Sequence, residues 1–90
     1  MTIDEIHESI SEANPDALLA DGFDDALIGY VERAGSQPVA CYSRKKCIEV
    51  LMQQGMAEDS ANEYFDFNVV GAYVGESTPV FLTDLTQPQL

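Results

Sequence analysis

The spacing of apolar residues near the start of the chain predicts a helix. Thr2 and Glu5 have the spacing of a capping box, which satisfies two backbone amides at a helix start. The apolar stripe that follows consists of Ile3, Ile6, Ile10 and Ala13. Because this stripe is narrow, we expect residues 1–20 to form a peripheral N-terminal helical segment.

Two short runs rich in β-branched and aromatic residues come next. The first extends from Ala26 to Arg33 and the second from Pro38 to Tyr42, with residues 34–37 between them. Runs of this length, separated by a short break that contains glycine, are typical of a β-hairpin. The sequence therefore predicts a hairpin from about Ala26 to Tyr42 with a four-residue loop.

Helical periodicity returns after the hairpin and predicts a helix pair from about Ser43 to Val70. Ser43 can cap the first helix, which is expected to end at Gly55. The second helix has acidic residues on one face and apolar residues on the other. The apolar face is predicted to contain Ala57, Ala61, Tyr64, Phe65 and Asn68. This face is expected to supply the core.

A last apolar run, from Pro79 to Leu82, predicts a third strand whose place in the sheet is open. The expected fold class is α+β, with a β-hairpin, a helix pair, a returning third strand near Val80 and a peripheral N-terminal helix. The whole chain, residues 1–90, is expected to form a single small domain. Residues 83–90 have little to bury and are expected to form a mobile tail.

Charge sets this chain apart more than its apolar content does. Sixteen acidic residues against four basic ones give a formal net charge of −12. Such a charge repels nucleic-acid backbones and anionic lipid, so we expect neither direct nucleic-acid binding nor membrane binding. Two cysteines are few for a secreted domain of this size, and the acidic N-terminus does not resemble a signal peptide. A cytoplasmic location is expected.

The acidic turn at residues 21–25 has part of the spacing of a calcium loop. Asp21 and Glu32 occupy its first and twelfth positions, but Phe23 replaces an oxygen ligand and Ala26 replaces the central glycine. We therefore expect a solvated turn, with no metal and no cofactor. The carboxylates near Asp24 leave open an alternative function as a small ligand-binding domain or enzyme.

No nucleophile is paired with a base in this sequence. His7, the one histidine, lies in the peripheral helix and is expected at the surface. Cys47 lies beside Lys46 near a helix start, which favours the thiolate, but its helical phase points it toward the core. No catalytic residue is predicted. Asn68 is expected to bond to backbone, with ligand binding as the alternative.

Basic residues cluster at the start of the first helix of the pair. Arg44, Lys45 and Lys46 directly follow Ser43, at the helix end where the dipole disfavours positive charge. Two explanations remain open. These side chains pair with the abundant carboxylates, or they bind an anion weakly together with the free helix amides.

Acidic residues are segregated along the chain. Residues 1–25 carry eight and residues 58–84 carry six, and neither segment contains Lys or Arg. We expect the exposed Asp59, Glu63 and Asp66 to bind a protein with a basic surface, in a non-enzymatic interaction module. A sharper alternative is a nucleic-acid mimic that inhibits a DNA- or RNA-binding protein of a host. The oligomeric state is left open.

Three segments of the chain carry a family resemblance: DGFDDALIGY, CIEVL and EYFDFNVVGAYVGESTPVF. They resemble a family of small uncharacterised acidic proteins found in bacteriophage and bacterial (prophage) genomes. The resemblance covers roughly Asp21 to Phe81. It implies a phage or prophage origin and a place in the bacterial host cytoplasm, and it implies no reaction, cofactor or catalytic residue.

Overall fold

The computed structural model describes residues 1–88. Its elements in chain order are helix α1 (Ile3–Ala13), strands β1 (Leu27–Arg33) and β2 (Ser36–Ser43), helices α2 (Arg44–Gln53) and α3 (Glu58–Phe65), and strand β3 (Val80–Leu82). A 3₁₀ turn, Asp24–Ala26, precedes β1, and a π-helical segment, Asp66–Val70, continues α3. The predicted α+β fold is confirmed. The last two residues of the predicted mobile tail lie outside the described residues.

Strands β1 and β2 form the predicted antiparallel hairpin, but the four-residue loop is wrong. Arg33 is paired with Ser36, so only two residues make the turn. The second of them, Gly35, has φ +81°, a left-handed conformation that costs glycine little and other residues more. This conformation permits a turn two residues shorter than the break in the sequence pattern suggested.

Strand β3 is the predicted third strand, and it lies beside β2 in the order β1-β2-β3. The two strands are parallel, with Cys41 opposite Val80 and Ser43 opposite Leu82. Parallel neighbours need a long crossover connection, which here contains both helices of the pair. The sheet is therefore mixed.

One face of the sheet packs against the helices to form the core. The core residues are Ile10, Phe23, Ala26, Leu27, Ala40, Tyr42, Cys47, Ile48, Leu51, Ala61 and Phe65. Helix α2 contributes three of them, including Cys47, which was predicted to face the core. From α1 only Ile10 is buried, so this helix covers the sheet at one side of the core.

Two buried polar side chains fix the segment between α1 and β1 onto the sheet. The Asn14 amide donates to the Pro38 carbonyl at 2.8 Å, while its Oδ1 accepts from the Asp16 amide at 3.0 Å. The Tyr42 hydroxyl accepts a hydrogen bond from the Ala20 amide at 2.8 Å. Because buried polar groups are costly without partners, these bonds specify one path for the segment.

The π-helical segment changes which side chains are buried after Phe65. The Gly71 amide donates to the Asp66 carbonyl at 3.1 Å, a bond that spans five residues and shifts the helical phase. Asn68 is therefore exposed. Ala57 and Tyr64, which precede the π-helical segment, are exposed as well, so the predicted place of these three residues on the buried face is wrong. The expected bond of Asn68 to the backbone does form, since its side-chain amide donates to the Tyr64 carbonyl at 3.2 Å.

Phe65→Ala should lower the free energy of unfolding by about 3 to 5 kcal/mol, because it removes a fully buried aromatic ring and leaves a cavity. Phe67→Ala is the matched control, since Phe67 is 77% exposed only two residues further along. Urea denaturation followed by circular dichroism measures both. Equal midpoints for the two variants would contradict this assignment of the buried face.

Candidate interaction surfaces

The carboxylates of the acidic turn do not gather into a metal site. Asp24 lies 3.3 Å from the imidazole Nε2 of His7, which is partly exposed. Within residues 1–88, no group of three or more His, Cys, Asp or Glu side chains is placed to hold a metal ion. The contact between Asp24 and His7 instead joins α1 to the turn that precedes β1.

Both cysteines are buried free thiols. Burial raises the pKa of Cys47 to about 12, and the nearby Arg44 offsets this only in part. Burial also raises the pKa of Cys41. Cys47 lies in the core, where its helical phase predicted it, and both residues carry a thiol rather than a thiolate near neutral pH.

Arg44 is held by groups within the chain. Its guanidinium donates to Asp66 at 2.7 Å and to the Asn62 side chain at 3.0 Å, and it lies over the Phe65 ring, 5.1 Å from the centroid. The hydrogen bond from Arg44 lowers the pKa of the Asp66 carboxyl. For Arg44, therefore, pairing with a carboxylate explains a cation at a helix start.

The other predicted anion-binding groups are arranged as an ordinary helix cap. The Ser43 hydroxyl accepts a hydrogen bond from the Lys46 amide at 3.3 Å. One amide of the first turn is thus already used. Lys45 and Lys46 lie on a different side of the start of α2 from Arg44, along a groove with Leu82 and Asp84.

An exposed ridge of acidic and aromatic side chains runs along α3 into the π-helical segment. We call it the acidic ridge, and it consists of Asp59, Ser60, Glu63, Tyr64 and Phe67. Asp59, Glu63 and Phe67 are four residues apart, so they share one side. The last four members of the ridge, with Asn68, line a shallow groove of about 430 Å³.

Phe67 is the least expected member of the acidic ridge. Its ring is 77% exposed, beside the half-exposed Tyr64. Of Tyr64, Phe65 and Phe67, only Phe65 is buried. The helical pattern did indicate that Phe67 is exposed, because Phe67 falls outside the predicted apolar face. Asp66, by contrast, differs from Asp59 and Glu63 in having an ionic partner within the chain.

The sheet face opposite the core is also apolar. Strand alternation places Val31, Val39, Cys41, Val80 and Leu82 on this side, and we call them the outer sheet face. Val39 and Cys41 are buried, yet neither belongs to the core cluster on the other face. Val31, Val80 and Leu82 remain 38 to 44% exposed. Sequence periodicity alone did not reveal this second apolar face.

Two grooves flank the outer sheet face. One, of about 620 Å³, lies between Val31, Val39 and Val80 of the sheet and Val70 and Tyr73 of the segment after α3. The other, of about 310 Å³, lies between Ile28, Leu82 and the start of α2. Val31, Val39 and Val80 of the outer sheet face line the first groove, and Leu82 lines the second.

The charges around these grooves differ from those of the whole chain. All four basic residues line one groove or the other: Arg33, Arg44, Lys45 and Lys46. Of the sixteen acidic residues, only Glu49, Glu76 and Asp84 do so. The remaining thirteen lie elsewhere, which makes the outer sheet face locally close to neutral on a strongly acidic protein.

Comparison of the chain with protein-family models, with curated proteins and with solved structures found no match. The resemblance to a phage and prophage family stays a prediction. None of the helices in the described residues has the length and apolar character needed to cross a membrane.

Stability should fall as the pH rises above about 9. In the unfolded chain a cysteine titrates near pH 8.5, whereas burial raises the pKa of Cys47 to about 12. The stabilisation that comes from keeping this thiol protonated is complete below the unfolded pKa and is lost as the pH rises through the folded one. Urea denaturation between pH 7 and pH 10 measures this slope.

The Cys47→Ala variant should show a shallower alkaline slope, although it is less stable at pH 7. Some slope should remain, because burial also raises the pKa of Cys41 and of Tyr42. An unchanged slope in Cys47→Ala would show that Cys47 is not the group responsible.

Inorganic phosphate should bind the start of α2 weakly at most. Arg44 is bonded to Asp66 and the Lys46 amide is capped by Ser43, so an anion would be held mainly by the flexible Lys45 and Lys46 side chains. NMR titration should give amide shifts over residues 43–47 that do not saturate at millimolar phosphate. Saturation in that range would instead establish an anion site.

Proposed function

We propose that this protein is a non-enzymatic interaction module that binds a protein with a basic surface through the acidic ridge. The observation that carries the proposal is the exposure of Phe67, 77%, in direct continuation of the carboxylates of Asp59 and Glu63. An aromatic anchor beside negative charge fits a partner that has an apolar pocket rimmed by Lys or Arg.

Exposed aromatic rings need a reason in a small domain. Large apolar patches on monomers mark interaction sites, and Tyr and Phe are enriched at the centres of interfaces. Phe67 lies in the π-helical segment, and such segments occur frequently at functional sites. Hydrophobic contact by Phe67 and Tyr64 supplies affinity, while the surrounding charges select the partner.

Electrostatics favours a basic protein over other partners. No Lys or Arg occurs after Lys46, so the ridge and the segment that follows it carry only negative charge. Such a surface repels nucleic acid and anionic lipid and accelerates association with a positively charged surface. Asp66 lies beside the ridge and is bonded to Arg44. It therefore differs from Asp59 and Glu63, whose carboxylates are offered to the partner.

The resemblance to phage and prophage proteins supports a setting in the cytoplasm of a bacterial host, with a host or phage protein as the partner. Mimicry of a nucleic acid is a narrower form of this proposal. It requires in addition that DNA or RNA compete with this protein for the same site on the partner.

The test is capture of partners from a bacterial lysate, with identification of the proteins retained. Retention should be strong at low salt and weak at about 1 M salt, where the Debye length falls to about 3 Å. Phe67→Ala and Glu63→Lys should each reduce retention of the same partner. Glu8→Lys is the control for Glu63→Lys, because it reverses an exposed acidic residue on α1, away from the ridge.

Circular dichroism verifies that each variant is folded. A captured protein that binds equally at both salt concentrations, or equally to the Phe67→Ala and Glu63→Lys variants, contradicts the proposal. Competition of a captured partner with DNA or RNA then distinguishes the mimic from a general acidic module.

A further inference from the structure

We propose that Arg44 is the positioning residue of the acidic ridge, because it holds the first residue of the π-helical segment and so determines where Phe67 is presented. The ordering of this segment is a property of the free protein. Its consequence for partner binding rests on the proposed function, and the two effects can be measured separately.

The π-helical segment has few other contacts that hold it to the fold. None of its five residues is buried, and no side chain in the described part of the chain caps its start. Of the five, Val69 packs partly against the core. The Asn68 side chain donates to the Tyr64 carbonyl, but this bond does not join the segment to any element beyond α3. A rare helical form with so little burial opens easily unless a side chain from elsewhere retains it.

Arg44 supplies that contact from a fixed position. It begins α2, a helix that contributes three residues to the core, and its guanidinium lies over the buried Phe65 ring. From there it donates to Asp66 at 2.7 Å and to the Asn62 side chain at 3.0 Å. Asn62 and Asp66 are four residues apart, so the planar guanidinium bridges the end of α3 and the start of the π-helical segment. Asn62 is itself held, since its amide donates to the Glu58 carbonyl at 3.0 Å.

The charge of Arg44 makes this role testable, because charge and position predict opposite results. Arg44→Gln makes the protein more acidic, and electrostatics alone would then strengthen binding to a basic partner. Loss of the bonds to Asn62 and Asp66 should instead let Phe67 move and should weaken binding. Lys45→Gln is the matched control, because it removes the same charge from the next residue, which lines a different groove from Arg44.

NMR relaxation of the backbone amides tests the ordering in the free protein. Order parameters over residues 66–71 should be about 0.85 in the unmodified chain and should fall toward about 0.6 in Arg44→Gln and in Asp66→Ala. Lys45→Gln and Glu63→Ala, which each remove one nearby charge, should leave them unchanged. Asp66 is exposed, so Asp66→Ala removes the acceptor without disturbing the core and decides the matter if Arg44→Gln does not fold. Unchanged order parameters in the folded variants overturn the proposal.

Retention of a basic protein captured by the unmodified chain measures the consequence for binding, with circular dichroism to verify that each variant is folded. Arg44→Gln should retain it about two- to fivefold less, and Lys45→Gln at least as well as the unmodified chain. In the Phe67→Ala background, Arg44→Gln should cause no further loss, because Arg44 acts through that ring. Equal or stronger retention by Arg44→Gln overturns this consequence. If no basic protein is captured, the proposed function fails, and the relaxation measurement alone decides whether Arg44 orders the ridge.

Discussion

Burial of the Phe65 ring joins parts of the chain that are far apart in the sequence. The ring packs edge-on against Phe23, 6.1 Å away between centroids, and against Phe81 at 5.1 Å, while the Arg44 guanidinium covers it from a third direction. The turn before β1, the last strand and the start of α2 are thereby fixed around one side chain. Because Arg44 also holds Asp66, the same contact sets where the π-helical segment leaves α3 and where Phe67 emerges at the surface.

Exposed apolar residues occur on two surfaces of the molecule, and the charges around the two surfaces differ. Phe67 and Tyr64 lie among carboxylates on the helical side, whereas Val31, Val80 and Leu82 lie among the few basic residues on the sheet side. On the proposed function, binding of a basic partner by the acidic ridge would weaken as salt is added.

Local pattern was enough to predict most elements, and tertiary contacts explain the exceptions. The start of α2 at Ser43 was predicted from the capping preference of serine. The burial of Cys47 and the third strand were predicted from the apolar pattern. The hairpin turn was predicted two residues too long, because only the backbone shows that Gly35 adopts a left-handed conformation. Asn68 was placed on the buried face because a period of 3.6 residues cannot anticipate a π-helical turn. The bond between Arg44 and Asp66 joins two helices, so no spacing within either helix reveals it.

Parallel pairing of β2 with β3 also orders the events of folding. The hairpin closes through two residues, and contacts of that kind form within microseconds, whereas β3 can dock only after residues 44–79 have closed a long loop. Until β3 docks, Phe81 does not contact Tyr42 and Phe65. One edge of β2 also has unpaired amides and carbonyls. During synthesis Val80–Leu82 emerges after β2 and both helices of the pair. A nascent chain that has not reached this strand therefore exposes a template for intermolecular strand pairing at residues 41–43 of β2, which β3 later covers.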